Sequence, residues 1–110
     1  MSIAVESVKD VFDKLPQAFQ PDAAKGVDII FQFNIGGPTG GNWYVTVKDG
    51  ACEVASGSTQ KPTCTFMLLD KSFMDLMSGK TTGMKAYMTG KLKVSGDLIK
   101  SQLLAKLFVF

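Results

Sequence analysis

The spacing of apolar residues predicts a helix at the start of the chain. Over residues 3–15, apolar side chains recur every three or four positions, and charged side chains fill the positions between them. This period is typical of an amphipathic helix with one buried face. Ser2 is placed to cap the helix, and Pro16 to end it, because a proline disfavours helical backbone in the residue before it. A further short helical turn is predicted at residues 22–25.

After residue 26 the apolar period shortens to two, which indicates strands. Alternating runs occupy residues 27–35, 42–48 and 51–56, and a fourth run includes Cys64, Phe66 and Leu68. In the first run Gln32 and Asn34 fall on the polar side, so we expect that strand to be half-buried. Asp49-Gly50 is a typical hairpin turn. The glycine-rich residues 36–41 join two strands and lack the lysine of a phosphate-binding loop, which favours a flexible hairpin loop.

The last third of the chain combines helices with one strand. Helices are predicted over residues 71–78, 83–88 and from 97 through 107 or beyond, with a strand at 91–95. Asp70 is placed to cap the first of these helices, and Gly79 to end it in the left-handed conformation. This order favours an α+β fold in which helices cover one face of a five-stranded, mostly antiparallel sheet. We expect residues 1–110 to form a single domain, because a second core would be too small to be stable.

The residue types exclude several kinds of function. The chain has no histidine and no arginine, so it lacks the commonest general base, the commonest metal ligand and the bidentate group that reads guanine. No spacing pairs a serine, cysteine or lysine nucleophile with a base. We therefore expect no catalytic residue, no metal, no cofactor and no nucleic-acid partner. Cys52 and Cys64 could form a disulfide, a reactive pair or two core residues, and their core-facing positions favour the last.

Apolar residues are concentrated in the second half of the chain. Five of the six methionines lie within residues 67–88, and the final predicted helix is apolar on more than one face. Methionine fills irregular space and lines sites that accept several ligand shapes, although ordinary core packing explains many such clusters. The apolar end, residues 107–110, is expected to be exposed unless a groove, a partner or a ligand covers it.

Several blocks of residues together carry a resemblance to a known family. They are Ile30–Phe33, Trp43–Gly50, Cys64–Met67, Asp70 with Phe73–Lys80, and Ala86–Asp97. The last block is the most specific, with Gly-Lys-Leu-Lys-Val followed by a second glycine before the final helix. In this order and spacing, the blocks resemble the sterol carrier protein type 2 family, the non-specific lipid-transfer proteins.

The resemblance implies both a fold and a function. It implies an apolar tunnel between the sheet and the helices, which binds fatty acids, fatty acyl-CoAs, phospholipids or sterols and transfers them between membranes without catalytic residues. The candidate lining residues are Phe33, Phe66, Leu68, Phe73, Leu76, Met77, Met84, Met88, Leu103 and Leu107. Lys91, Lys100 and Lys106 are candidate contacts for a phosphate headgroup, as point charges.

The resemblance also sets expectations about partners and location. We expect a monomer that contacts membranes transiently, in the cytoplasm or the peroxisome. Ala105–Leu107 resembles a peroxisomal targeting tripeptide, but Phe108–Phe110 follows it, so the sequence predicts no terminal signal. An alternative function is an interaction or accessory module of lipid metabolism with a closed or vestigial cavity. A small hydrolase or transferase is the third possibility, and it lacks any nucleophile motif.

Overall fold

The computed structural model describes residues 5–109 as five strands and five α-helices. In chain order these are α1 (Val8–Ala18), a 3-10 turn (Pro21–Ala24), β1 (Ile29–Gly36), β2 (Gly41–Lys48), β3 (Ala51–Ser56), β4 (Cys64–Leu69), α2 (Asp70–Met77), α3 (Gly83–Met88), β5 (Leu92–Gly96), α4 (Leu98–Ser101) and α5 (Leu104–Leu107). The strands lie where the alternation predicted them, which confirms the α+β class. Within the described part of the chain, none of the helices combines the length and apolar character needed to cross a bilayer.

The five strands form one mixed sheet in the order β3-β2-β1-β4-β5. β1 and β4 run parallel, and the other three neighbouring pairs are antiparallel, which confirms the mostly antiparallel prediction. The register sets Phe33 of β1 opposite Trp43 of β2 and Phe66 of β4. Because side chains alternate along a strand, these three rings point to one side of the sheet, here named the core face.

Helix α1 lies on the core face and begins later than the apolar period predicted. The hydroxyl of Ser7 accepts the N–H of Asp10, so Ser7 is the N-cap and the predicted start at residue 3 is wrong. The proposed cap Ser2 lies outside the described residues. The predicted end at Pro16 is also wrong. The proline lies inside the last turn, and the helix ends at Ala18, which is buried against the core.

A cluster of aromatic rings joins α1, α2 and the sheet. The ring of Phe12 stacks on Trp43 at a centroid distance of 4.9 Å and on Phe73 of α2 at 5.5 Å. It also meets the edge of Phe33 at 5.3 Å. Both helices are thereby fixed on the core face, and aromatic rings fill the space between them and the sheet.

The C-terminal segment forms two short helices instead of the single helix that the sequence predicted. At residues 102–103 the N–H groups of Gln102 and Leu103 bond to the carbonyls of Ile99 and Lys100, three residues back. These bonds tighten the chain into 3-10 geometry, which separates α4 from α5 and changes the angular position of the residues that follow.

The apolar end of the chain is covered by the end of α1. The N–H of Val109 donates to the carbonyl of Ala18, and the Phe19 and Phe108 rings lie 5.5 Å apart. Leu107 and Phe108 are only 1% and 7% exposed. The end of α1 is therefore the cover that the sequence required for these two apolar residues, and Phe110 lies outside the described residues.

The opposite face of the sheet is also partly covered, because Gln32 of β1 binds the loop that follows β3. Its amide nitrogen donates to the carbonyls of Trp43 and Gly57 and to Oδ1 of Asn34, and its Oε1 accepts the N–H of Thr59. The loop after β3 thereby closes over β1, and Gln32 is 3% exposed. The expectation of a half-buried strand is wrong at this position, because a fully bonded amide can be buried.

Asp70 fixes a loop instead of capping a helix. Its carboxylate accepts the Thr39 hydroxyl at 2.7 Å, the Thr39 N–H at 3.0 Å and the Lys71 N–H at 2.8 Å. The two Thr39 bonds, followed by the Lys71 bond, lower the pKa of Asp70 below its ordinary value. The predicted N-cap role is wrong, because Asp70 is the first residue of the helix and Leu69 precedes it as the cap. The prediction of a flexible 36–41 loop is also wrong at Thr39, because the Asp70 carboxylate anchors the loop there. Gly79, with φ of +80°, has the predicted left-handed conformation.

We expect Gly96→Ala to lower the free energy of unfolding by about 2–3 kcal/mol. Gly96 ends β5 with φ of +89°, and a Cβ there would lie 2.5 Å from the carbonyl oxygen of Thr63. The matched control is Gly50→Ala in the β2–β3 hairpin, where φ is +73° but no atom lies within 4 Å of the new Cβ. Its loss should be about 1 kcal/mol. Equal losses in urea denaturation would show that the close approach to Thr63 does not matter.

Candidate functional site

The predicted lining residues fall into three groups by burial. Phe33, Phe66, Leu68, Phe73 and Leu107 are buried, whereas Leu76, Met77 and Leu103 are partly buried against the core. Met84 and Met88 are 75% and 77% exposed. The structure brings the first two groups to the core face of the sheet or to the helices on it, and it leaves the two α3 methionines outside.

Three of the predicted aromatic residues are in direct contact. The rings of Phe33 and Phe66 stack at 5.2 Å, and Phe73 meets Phe33 at 6.3 Å. Sequence alone could not distinguish these positions from ligand-lining ones, because both require an apolar residue on the same face of a strand.

Helix α3 explains why Met84 and Met88 are exposed. In six residues it buries one side chain, Ala86, against the molecule. Residues 84 and 88 lie four apart and therefore share a face, about 160° away from residue 86 on a helix with 100° per residue. The two methionines consequently point away from the core in this conformation.

The helices on the core face form two sides that differ in how tightly they pack. On one side α1 and the start of α2 are joined by stacked rings. The other side holds the end of α2, with Leu76 and Met77, and the α4–α5 segment, with Leu103 between the two helices and Leu104 in α5. These four residues are partly exposed while packing on the core. We name this second side the open helical half. Its helices have four to eight residues each, so few internal hydrogen bonds hold each of them.

Two shallow surface depressions lie outside the space between the helices and the core face. One, of about 620 Å³, follows the polar side of α1 at Lys9 and Asp13. The other, of about 520 Å³, lies on the opposite face of the sheet between Met67, Leu69 and Lys91. Neither has the position of the expected tunnel, which therefore stays a prediction.

The three candidate headgroup lysines are exposed but lie on separate elements. Lys91 precedes β5, Lys100 lies in α4 and Lys106 lies in α5. Lys100 and Lys106 belong to the open helical half. Lys91 is held by its own backbone, because its N–H donates to the carbonyl of Ala86 at 2.9 Å.

Both cysteines are free thiols in the structure; Cys64 is buried in the core and Cys52 is partly buried against it, in agreement with the predicted core positions. Burial, and secondarily the charge of Asp97, raises the pKa of Cys64 to about 11. Burial also raises the pKa of Cys52 above its ordinary value. Both groups are therefore protonated at neutral pH, and a protonated thiol is a poor nucleophile.

Sequence reasoning missed one group of surface residues in this region. Leu98 and Ile99 of α4 are 47% and 81% exposed, and Tyr87 of α3 is 51% exposed. The apolar pattern contained no signal for Leu98 and Ile99, because it predicted one long helix there. In the structure α4 has four residues, and such a helix cannot bury both of two adjacent apolar side chains, which point about 100° apart.

Comparison with known proteins connects this fold to one family. The family model described as the SCP-2 sterol transfer family matches residues 9–109. Sterol carrier protein 2 of Gallus gallus is 34% identical over 106 residues, which cover 89% of this chain and 19% of that protein. The chain thus spans about a fifth of the length of the first curated relatives that it matches.

Two solved structures match over nearly their whole length. The apo form of sterol carrier protein 2 from Yarrowia lipolytica has a TM-score of 0.73 and 27% identity, covering 96% of this chain and 94% of that one. The palmitated sterol carrier protein 2-like 2 from Aedes aegypti has a TM-score of 0.76 and 25% identity, covering 92% and 93%. With the family match over residues 9–109, these likenesses confirm the resemblance seen in the sequence: the chain belongs to the SCP-2 sterol transfer family.

Proposed function

We propose that this domain is a non-catalytic, monomeric carrier that binds one long-chain lipid and transfers it between membranes. The ligand classes are fatty acids, fatty acyl-CoAs, phospholipids and sterols. Family membership and fold support lipid binding and transfer in general. The observation that carries the finer proposal is the open helical half, where Met77, Leu103 and Leu104 are apolar, partly exposed and adjacent to a buried apolar sheet face.

The proposed site is the space between the open helical half and the core face. In the conformation described here the side chains are in contact, so α4 and α5 have to move outward before a chain can enter. Each methylene withdrawn from water contributes about 0.8 kcal/mol, so an acyl chain can offset the cost of that movement without directed hydrogen bonds. Such a site selects by length and shape. Lys100 and Lys106 lie on the moving helices, where they can meet a phosphate or carboxylate as point charges.

The test is a titration of the purified domain with a fluorescent long-chain fatty acid, followed by displacement with palmitoyl-CoA. We expect saturable binding at one site with micromolar or tighter affinity. Met77→Asp should weaken it at least about tenfold, because a buried carboxylate would face the acyl chain. Met67→Asp is the matched control: Met67 lies on the opposite face of the sheet, 37% exposed, and its replacement should change affinity less than about twofold.

Both variants must be folded at the assay temperature, as judged by circular dichroism, and Met77→Gln replaces Met77→Asp if the latter is not. Equal affinities for the Met77 and Met67 variants would place the ligand elsewhere. The absence of saturable binding by folded wild-type protein would overturn the proposal.

One observation favours a second function, an accessory module with a closed cavity. The rings of Phe12, Phe33 and Phe73 fill the space beside α1 in mutual contact. If the open helical half is equally closed in solution, the titration will show no uptake by well-folded protein. That result would support the accessory module.

A further inference from the structure

Charge is divided unevenly along the chain. Residues 76–110 contain six of the twelve lysines but only one of the ten carboxylates, Asp97. That carboxylate accepts the backbone N–H of Lys100 at 3.0 Å and caps α4. The last third of the chain is therefore strongly basic, whereas the preceding residues carry a net negative charge.

The same third carries most of the exposed large apolar side chains. Of the eight such residues in the described part of the chain, six are Met84, Tyr87, Met88, Leu98, Ile99 and Val109. Five of these belong to α3 and α4. Exposed apolar residues interleaved with lysines are typical of surfaces that lie in a lipid–water interface.

Hydrogen bonds hold these elements along one edge of the molecule. β5 is an edge strand of the sheet. The N–H of Lys91 bonds to the carbonyl of Ala86, which fixes the end of α3 near the start of β5. At the other end of β5, the N–H of Asp97 bonds to the carbonyl of Thr63 at 3.0 Å, which fixes the start of α4 to the residue before β4.

Together these residues define a surface that we name the β5-edge surface. It consists of Met84, Lys85, Tyr87, Met88, Lys91, Lys93, Leu98, Ile99 and Lys100. Lys93 pairs with Met67 and therefore points to the sheet face opposite the core. The surface contains four lysines, and its carboxylate neighbour Asp97 is engaged as a cap.

We infer that the β5-edge surface docks the domain on an anionic lipid bilayer. The inference rests on the proposed function in one respect, since a lipid carrier has to meet a membrane. The exposed methionines, Tyr87 and Ile99 can enter the headgroup region, and the lysine ammonium groups can meet lipid phosphates and carboxylates. The methylene groups of the lysine side chains are apolar, so they can lie in the headgroup region while the ammonium groups stay hydrated.

Helix α1, the other amphipathic element, is less suited to this role. Its apolar side is buried against the sheet. Its polar side pairs Lys9 with Asp13 at 2.9 Å and Lys14 with Asp10 at 3.3 Å. These carboxylates neutralise the lysines and would be repelled by an anionic surface, so the charge complementarity lies with the β5 edge.

The test is co-sedimentation of the ligand-free domain with phosphatidylcholine vesicles, with and without phosphatidylserine. We expect binding only with phosphatidylserine, and we expect it to weaken as salt shortens the screening length. Each lysine near the surface contributes about fivefold, so Lys85→Gln/Lys93→Gln should reduce the partition coefficient about 30-fold. The control Lys25→Gln/Lys48→Gln removes the same charge from exposed positions elsewhere and should cost less than about threefold.

A third variant, Ile99→Ser, tests the apolar contribution and should reduce binding about tenfold at constant charge. Equal losses in the two lysine variants, or equal binding to both kinds of vesicle, would overturn the inference. So would a wild-type dimer in sedimentation velocity that Ile99→Ser converts to monomer without vesicle binding, because the surface would then join two copies.

The two proposals can fail separately. A domain that takes up the fluorescent fatty acid but ignores phosphatidylserine vesicles overturns the docking surface and leaves the carrier function. A domain that docks on vesicles without taking up fatty acid supports the docking surface and overturns the carrier function.

Discussion

Replacing Phe12 with alanine is expected to lower the free energy of unfolding by about 3–5 kcal/mol. Phe12 is 2% exposed and contacts rings from two strands and a second helix. Its removal leaves a cavity that the surrounding rings cannot all fill, because Phe33 and Trp43 are fixed by strand pairing. The stacked pairs add about 0.5–1.5 kcal/mol each beyond area burial.

The measurement is urea denaturation followed by circular dichroism and by the fluorescence of Trp43, the only tryptophan in the chain. Phe19→Ala is the control, since Phe19 is partly buried and has one described ring contact, with Phe108. It should cost about 1–2 kcal/mol. If Phe12→Ala does not fold, Phe12→Leu should still cost more than the control. Comparable losses at the two positions would mean that the aromatic cluster is not the main tie between α1 and the sheet.

The cluster also bears on function. If ligand enters the open helical half, folded Phe12→Leu protein should bind the fluorescent fatty acid with nearly wild-type affinity, because the rings that Phe12 contacts belong to β1, β2 and Phe73 of α2. The two sides of the core face would then have separate roles: one holds the helical layer on the sheet, and the other opens.

The apolar period was sufficient to predict the five strands, but not the start of α1 or the division of the last predicted helix into α4 and α5. In β1 and β2 every second side chain packs on the core face and is apolar, so the alternation located both strands within two residues. The start of α1 depends instead on which of two serines accepts a backbone N–H, and the bond from Asp10 to Ser7 decides it. Such a choice is made by single hydrogen bonds, to which apolar periodicity is blind.

The candidate site was harder to predict for a related reason. An apolar residue in a short helix can face the core, a ligand or solvent, and the sequence pattern is the same in each case. Leu107 is buried, Met77 is partly buried and Met88 is exposed, although all three fit an apolar stripe. The difference depends on how α3, α4 and α5 are oriented against the sheet, and that orientation is set by tertiary bonds such as Lys91 to Ala86.

Gln32→Glu is expected to cost about 3 kcal/mol or more of stability at neutral pH, although it changes only one amide nitrogen to oxygen. That nitrogen donates to the carbonyls of Trp43 and Gly57, at 3.1 and 3.2 Å. A carboxylate would present an oxygen to both. Asn34 can rotate its own amide to donate, but the two backbone carbonyls cannot, so the buried charge remains poorly compensated.

The cost should depend on pH in a defined direction. Burial among carbonyl oxygens raises the pKa of the introduced glutamate above its ordinary value of about 4.3. The folded state then binds a proton more tightly than the unfolded state, so stability is retained at acid pH and declines as pH rises through the raised pKa. The protonated carboxyl can donate one hydrogen bond, which restores part of the Gln32 network below that value.

Urea denaturation over a range of pH separates this effect from a general loss of packing. Gln60→Glu is the matched control, since Gln60 is exposed in the same loop that Gln32 holds, and its replacement should change stability by less than about 0.5 kcal/mol at every pH. Gln32→Met removes the same hydrogen bonds without adding charge and should cost about 2 kcal/mol without this pH dependence. If Gln32→Glu also lacked the pH dependence, the loop would be moving away to admit water, and β1 would be exposed on its second face.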